Sequence, residues 1–104
     1  WKLFLVMNEL LDYYKPFEDF DNIGVDKTFT RVFKENVKKD QLIWHKDKKD
    51  RVVKVIYGTG WKLQHDNSLP ILLEPGNNYH INKGEFHRLH KGNSELKVEI
   101  KEYE

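Results

Sequence analysis

The hydrophobic pattern of this chain changes near residue 28, from helical spacing to an alternation of apolar and polar residues. Short runs rich in β-branched and aromatic residues then follow one another, with glycine or Asp-Asn turn signals about every ten residues. Roughly eight such strands with tight turns are typical of a β-sandwich or barrel. The predicted strands are TFTRVF, QLIWHKD, RVVKVIYGTG, WKLQHD, LPILLEPG, NYHINKG, FHRLHKG and SELKVEIKEY.

The segment before these strands predicts one α-helix over about residues 1–14, which Pro16 ends. The acidic stretch FEDFDNIGVD that follows it predicts a loop. We expect the helix to cover an edge or face of a barrel over about residues 28–104, within a single domain over residues 1–104. The apolar residues of the helix recur on one face at Leu3, Val6, Met7, Leu10, Leu11 and Tyr14.

Composition excludes several classes of function. The chain has no cysteine, which rules out disulfides, thiolate zinc sites and cysteine nucleophiles. A net charge of +1 implies no polyanionic partner, and the basic residues within 34–54 are mixed with acids and match no nucleic-acid motif. They favour a solvated strand edge, so we expect no nucleic acid as partner. Without a long apolar run or a signal-peptide pattern, we expect no membrane partner and a cytoplasmic protein.

Three side chains predict a metal centre. His45 and Asp47 point to the same face of an extended strand, and His87 lies on another predicted strand. Two imidazoles and a carboxylate that converge in one cavity suit Fe(II), with Mn or Ni as competitors and Zn as a further candidate. A short His-x-Asp pattern with a distant histidine also arises by chance, so surface histidines are the alternative interpretation.

The spacing around His45 resembles the first motif of the cupin superfamily, G-x5-H-x-H-x3-4-E-x6-G. His45 and Gly58 match this motif, while Asp47 takes the place of the second histidine. Arg51 stands where the motif has its glutamate. This departure removes a ligand of the usual cupin metal site and places a permanent cation beside it.

The downstream segment resembles the second cupin motif, G-x5-P-x-G-x2-H-x3-N. Gly76, Gly84 and His87 match it, while Asn82 and Lys91 replace the proline and the final asparagine. Together the two motifs cover nearly half of the chain. The resemblance implies an all-β fold, a cupin-type double-stranded β-helix (jelly-roll) barrel, here with one N-terminal α-helix.

The resemblance to cupins also implies a function. We expect a barrel that binds a small polar or anionic molecule, either with a divalent metal held by His45, Asp47 and His87 or without a metal. One alternative is a metal-dependent (Fe, Mn or Ni) enzyme such as an oxygenase or isomerase. Another is a non-catalytic structural module. Cupins commonly dimerise, so we expect a homodimer formed through the SELKVEIKEY strand as an edge strand or through the N-terminal helix.

Three further residues are candidates for ligand binding. Arg51 either clamps a carboxylate or phosphate beside the metal, or pairs with Asp47 in a buried ionic network that holds no metal. Tyr57 is a hydrogen-bond donor for the pocket or a plain wall residue. Gln64 lines the cavity mouth or faces solvent from its strand.

Overall fold

Two antiparallel sheets enclose one apolar core in the computed structural model, which describes residues 15–21 and 27–103. The strands of this part of the chain are β1 (Phe17–Asp21), β2 (Thr28–Phe33), β3 (Asp50–Tyr57), β4 (Lys62–His65), β5 (Ile71–Leu72), β6 (Asn78–Ile81), β7 (His87–His90) and β8 (Leu96–Tyr103). The larger sheet has the order β1-β2-β8-β3-β6, and the smaller one has the order β5-β4-β7. The predicted all-β architecture is therefore confirmed.

The prediction of a strand over the segment QLIWHKD is wrong. A 3-10 helix, Lys39–Gln41, occupies its start, and the chain then runs as a loop in which His45 makes an isolated bridge to His87. Local hydrogen bonds replace the ladder here, because the amide of Gln41 donates to the carbonyl of Lys38 at 3.0 Å and the side-chain oxygen of Gln41 accepts from the amide of Lys38 at 2.9 Å.

The acidic stretch predicted to be a loop begins instead with β1. Two cross-strand pairs between β1 and β2 hold it in place. The ring of Phe17 lies 5.4 Å from that of Phe33, and Asp19 accepts hydrogen bonds of 2.7 and 3.0 Å from Arg31. Arg31 stands opposite Asp19 and partly neutralises the acidic segment, which can therefore form a strand.

The predicted N-terminal helix over residues 1–14 lies outside the described residues and stays a prediction. Among the described residues, no helix is long and apolar enough to cross a membrane.

Alternation along β3 and β8 builds the core. In β8, the side chains of Leu96, Val98 and Ile100 are buried, while the residues between them face outward. Trp61 is fully buried as well, and its indole nitrogen donates to the carbonyl of Ser94 at 2.8 Å. The remaining core residues are Phe33, Val37, Val53, Val55, Leu63, Leu73 and Ile81.

The segment SELKVEIKEY, which we expected to form a dimer contact, forms β8 in the interior of the larger sheet. β8 pairs with β2 along one edge and with β3 along the other. Both of its hydrogen-bonding edges are therefore used, and it cannot add a second copy as an edge strand. That route to a homodimer is wrong, whereas a homodimer formed by other contacts stays a prediction.

Replacing Gly92 by alanine is expected to destabilise the fold strongly. A Cβ at this position would collide with the carbonyl oxygen of Thr59 and with the backbone nitrogen and ring of Trp61, and these backbone atoms cannot move away easily. We expect Gly92→Ala to lower the free energy of unfolding by about 3 kcal/mol in urea titrations. Gly76→Ala is the control, because φ is +89° there but no atom lies within 4 Å of the added Cβ; we expect a loss of about 1 kcal/mol. Equal losses in the two variants would refute the steric argument.

Candidate metal centre

The structure brings His45, Asp47 and His87 together. One potential ligand atom from each of them lies within 4.8 Å of those of the other two. His45 and Asp47 are in the loop before β3, and His87 is the first residue of β7. Paired backbone hydrogen bonds of 3.0 and 2.9 Å join the two histidines. A bridge between a loop and a strand, rather than the regular strand expected from the sequence, therefore aligns the three side chains.

Backbone carbonyls fix the orientation of both imidazole rings. Nδ1 of His45 donates to the carbonyl of Ile43, and Nδ1 of His87 donates to that of Glu85, each at 2.9 Å. Because a carbonyl only accepts, the proton of each neutral ring lies on Nδ1 and the lone pair on Nε2. Nε2 of His87 lies 3.3 Å from Oδ2 of Asp47, and Nε2 of His45 lies 3.9 Å from Oδ1. Both lone pairs are thus available for a metal ion.

The Asp47 carboxylate is buried and incompletely satisfied. Its side chain is 9% exposed, and within the described part of the chain its Oδ2 atom has no hydrogen-bond partner. A buried carboxylate oxygen without a partner costs free energy, so native structures rarely keep one without a reason. A cation bound between Asp47 and the two histidines would supply the missing interaction.

Arg51 and Glu102 form an ionic network with Asp47. Arg51 lies on β3 directly opposite Glu102 on β8. Its Nε and Nη2 atoms lie 3.0 and 2.9 Å from Oε2 of Glu102, and its Nη1 atom lies 3.3 Å from Oδ1 of Asp47. Sequence reasoning missed Glu102, because only the β3–β8 register shows that it faces Arg51.

The network shifts the pKa values of the three candidate ligands. Burial lowers the pKa of His45 below its ordinary value. Burial also lowers the pKa of His87, but the adjacent Asp47 carboxylate and the bond to Glu85 outweigh it, so the pKa of His87 is raised. For Asp47, the effect of burial is outweighed by His87 and Arg51, which hold its pKa below the ordinary value.

A cavity of about 750 Å³ lies inside the barrel beside these residues. Its wall is mainly apolar and comes from both sheets, and His45, Arg51 and His87 also line it. Cavities of about 300–1,000 Å³ suit small-molecule ligands. The three polar residues therefore present their side chains to a space that a small molecule can enter.

Comparison with solved structures decides the fold. No protein-family model and no curated protein matches the sequence. A cupin-2 domain-containing protein from Shewanella frigidimarina is 20% identical and superposes with a TM-score of 0.62, over 94% of this chain and 92% of that one. The chain has the cupin fold. The predicted double-stranded β-helix is thereby confirmed for the described residues.

Longer proteins contain the same cupin barrel. The DMSP lyase DddQ from Ruegeria pomeroyi is 13% identical, with a TM-score of 0.66 over 89% of this chain. The Fe(II) form of HppE is 12% identical, with a TM-score of 0.57 over 73% of this chain. This chain spans only 49% of the length of the lyase and 41% of the length of HppE.

Two of the ligand-binding candidates are not among the residues that line the cupin cavity. The Tyr57 side chain is exposed, and a register shift between Val55 and Tyr57 interrupts the strand alternation there. The side-chain oxygen of Gln64 accepts from Arg88 at 3.0 Å and lies 2.8 Å from His90. The structure brings neither residue to the candidate metal centre.

Replacing Asp47 by asparagine should lower the pKa of His87 in metal-free protein. The carboxylate favours the imidazolium, so its loss leaves burial as the larger influence on this ring. NMR titration of the histidine Cε1 protons measures the change, with the exposed turn variant Asp66→Asn as control. The raised pKa of His87 also affects stability. Protonated His87 stabilises the fold at low pH, and this stabilisation is lost as the pH rises through the folded-state pKa. An unchanged His87 titration in Asp47→Asn would contradict the electrostatic coupling.

Proposed function

We propose that this cupin holds a divalent metal ion on His45, Asp47 and His87 and binds a small molecule in the adjoining cavity. The observation that carries the proposal is the partnerless Oδ2 of Asp47, which lies beside the Nε2 lone pairs of two oriented histidines. Two imidazoles and one carboxylate suit Fe(II), and Mn, Ni and Zn are the competing ions.

The charges near the triad are compatible with a cation. Arg51 alone would repel a divalent ion, but Glu102 lies 2.9 Å from its Nη2 atom. With both histidines neutral, the group formed by Asp47, Arg51 and Glu102 carries a net charge of −1. Glu102 thus offsets the cation that replaces the cupin glutamate.

Chemistry at this site would divide between the ion and the barrel. A bound divalent ion supplies a Lewis acid that polarises an oxygen of the bound molecule. The apolar wall excludes water from the bound molecule, and the backbone carbonyls of Ile43 and Glu85 hold the two rings in position. Arg51 positions the Asp47 carboxylate through its Nη1 atom. A metal-dependent enzyme, such as an oxygenase or isomerase, is the catalytic form of this proposal.

A second candidate is ligand binding without a metal. The distance of 3.3 Å between Arg51 and Asp47 favours it, because this contact already gives the carboxylate a cationic partner. It requires a protonated His87 to partner the Oδ2 atom of Asp47, which lies 3.3 Å from Nε2, and therefore ranks second. A purely structural module, a homodimer and a cytoplasmic location stay predictions.

Metal titration of three proteins tests the proposal. We expect chelator-treated wild type to bind about one equivalent of Fe(II) anaerobically, or of Mn(II), in isothermal titration calorimetry. His87→Ala removes one of three ligands and should weaken binding by about 100-fold or more. His80→Ala is the matched control, because it removes an exposed histidine from β6 and should leave the affinity unchanged.

Either of two results would count against the metal centre. The first is that folded wild type binds none of the four candidate ions, Fe(II), Mn(II), Ni(II) and Zn(II). The second is an equal loss of affinity in His80→Ala and His87→Ala, which would place the bound ion elsewhere. Thermal unfolding of all three proteins shows that they are compared in the folded state.

A further inference from the structure

The charged group beside the cavity would become more positive when a divalent ion binds. Asp47 and Glu102 are acidic, and Arg51 between them is basic. The Arg51 guanidinium lies 3.3 Å from the Asp47 carboxylate and 2.9 Å from the Glu102 carboxylate. Their net charge is −1 with neutral histidines, and a divalent ion on the triad would change it to +1. The metal-bound site therefore attracts an anion more strongly than the metal-free site does.

Arg51 keeps hydrogen-bonding capacity for such an anion. A guanidinium has five N–H groups. The contacts of Arg51 within the described ranges engage one N–H on Nε, one on Nη2 and one on Nη1. Nη1 and Nη2 carry two N–H groups each, so each atom keeps at least one further donor, and Arg51 lines the cavity. Guanidinium N–H groups form charge-assisted hydrogen bonds with carboxylates.

The rest of the cavity wall favours an apolar body on the ligand. Buried aliphatic side chains from four strands form this wall, including Val53, Leu63, Ile81 and Ile100. The charged lining residues are mostly basic: Lys15, Arg31, Lys38 and Arg51 are basic, and Asp40 is acidic. An aliphatic wall gains free energy by covering apolar surface, and a basic lining favours an acid over an amine.

We propose that the cavity binds a small amphiphilic acid, and that this binding depends on the metal ion. The apolar body of the ligand lies against the aliphatic wall, and its carboxylate lies at Arg51 beside the triad. The inference rests on the proposed metal centre and adds the class of ligand and the dependence of its binding on the metal. Because binding is linked, the ligand must strengthen metal binding by the same factor.

Octanoate is the probe for this proposal, with octanamide and octylammonium as probes of equal chain length and different charge. Each is titrated into wild type with saturating Mn(II) and into chelator-treated wild type. We expect octanoate to bind the Mn(II) form at least about tenfold more tightly than either other probe. We expect its affinity to fall at least about tenfold after metal removal.

Glu102→Gln tests the charge argument without removing a proposed metal ligand. The variant changes the metal-free charge from −1 to 0, so octanoate should bind chelator-treated Glu102→Gln at least about tenfold more tightly than chelator-treated wild type. Glu99→Gln is the matched control, because it makes the same change on β8 but lies between the inward-facing Val98 and Ile100. It should leave octanoate binding unchanged.

The outcomes separate this inference from the metal centre itself. If Mn(II) binds but octanoate and octanamide bind equally, the class of ligand is wrong while the metal centre stands. If octanoate binds equally with and without Mn(II), the dependence on metal is wrong. If Mn(II) does not bind to folded wild type, the metal centre fails and the inference fails with it. Tight octanoate binding only in the Mn(II) form, together with the gain in Glu102→Gln, supports the inference.

Discussion

The antiparallel pairing of β3 with β8 determines both the apolar wall and the charged group of this barrel. Val53 stands opposite Ile100 and Val55 opposite Val98, and all four side chains are buried. The same register places Arg51 opposite Glu102. Because strand side chains alternate strictly, a shift of one residue would move the core residues to solvent and separate the ion pair. The hydrophobic requirement of the core thus fixes the position of the charges.

Burial of Asp47 gives the site its chemical character. A carboxylate that is removed from water must find cations or donors, and here the Arg51 guanidinium and the two imidazoles of His45 and His87 lie near it. The two imidazoles are fixed by backbone carbonyls rather than by other side chains, so their orientation follows from the local chain path. The site is therefore preorganised before any ion binds, which lowers the entropic cost of binding.

The sequence predicts the strands better than it predicts the loops. Alternation and glycine spacing locate most strands, and β2 matches its predicted span because it pairs with β1 along one edge and with β8 along the other. The QLIWHKD segment alternates too, yet the 3-10 helix Lys39–Gln41 takes its start. His45, Asp47 and His87 can be selected by residue type and motif spacing. Glu102 and the cavity cannot, because they depend on strand register and on packing between sheets.

The replacement of the motif glutamate by Arg51 changes the site by two units of charge. A glutamate there would have given a divalent ion a further anionic ligand and made the site more negative. Arginine makes it more positive, and Glu102 on β8 restores only one of the two units. The result is a site with fewer protein ligands for the ion and a stronger field for anions. In the proposed metal centre, the coordination position that the motif glutamate would fill is thereby left open.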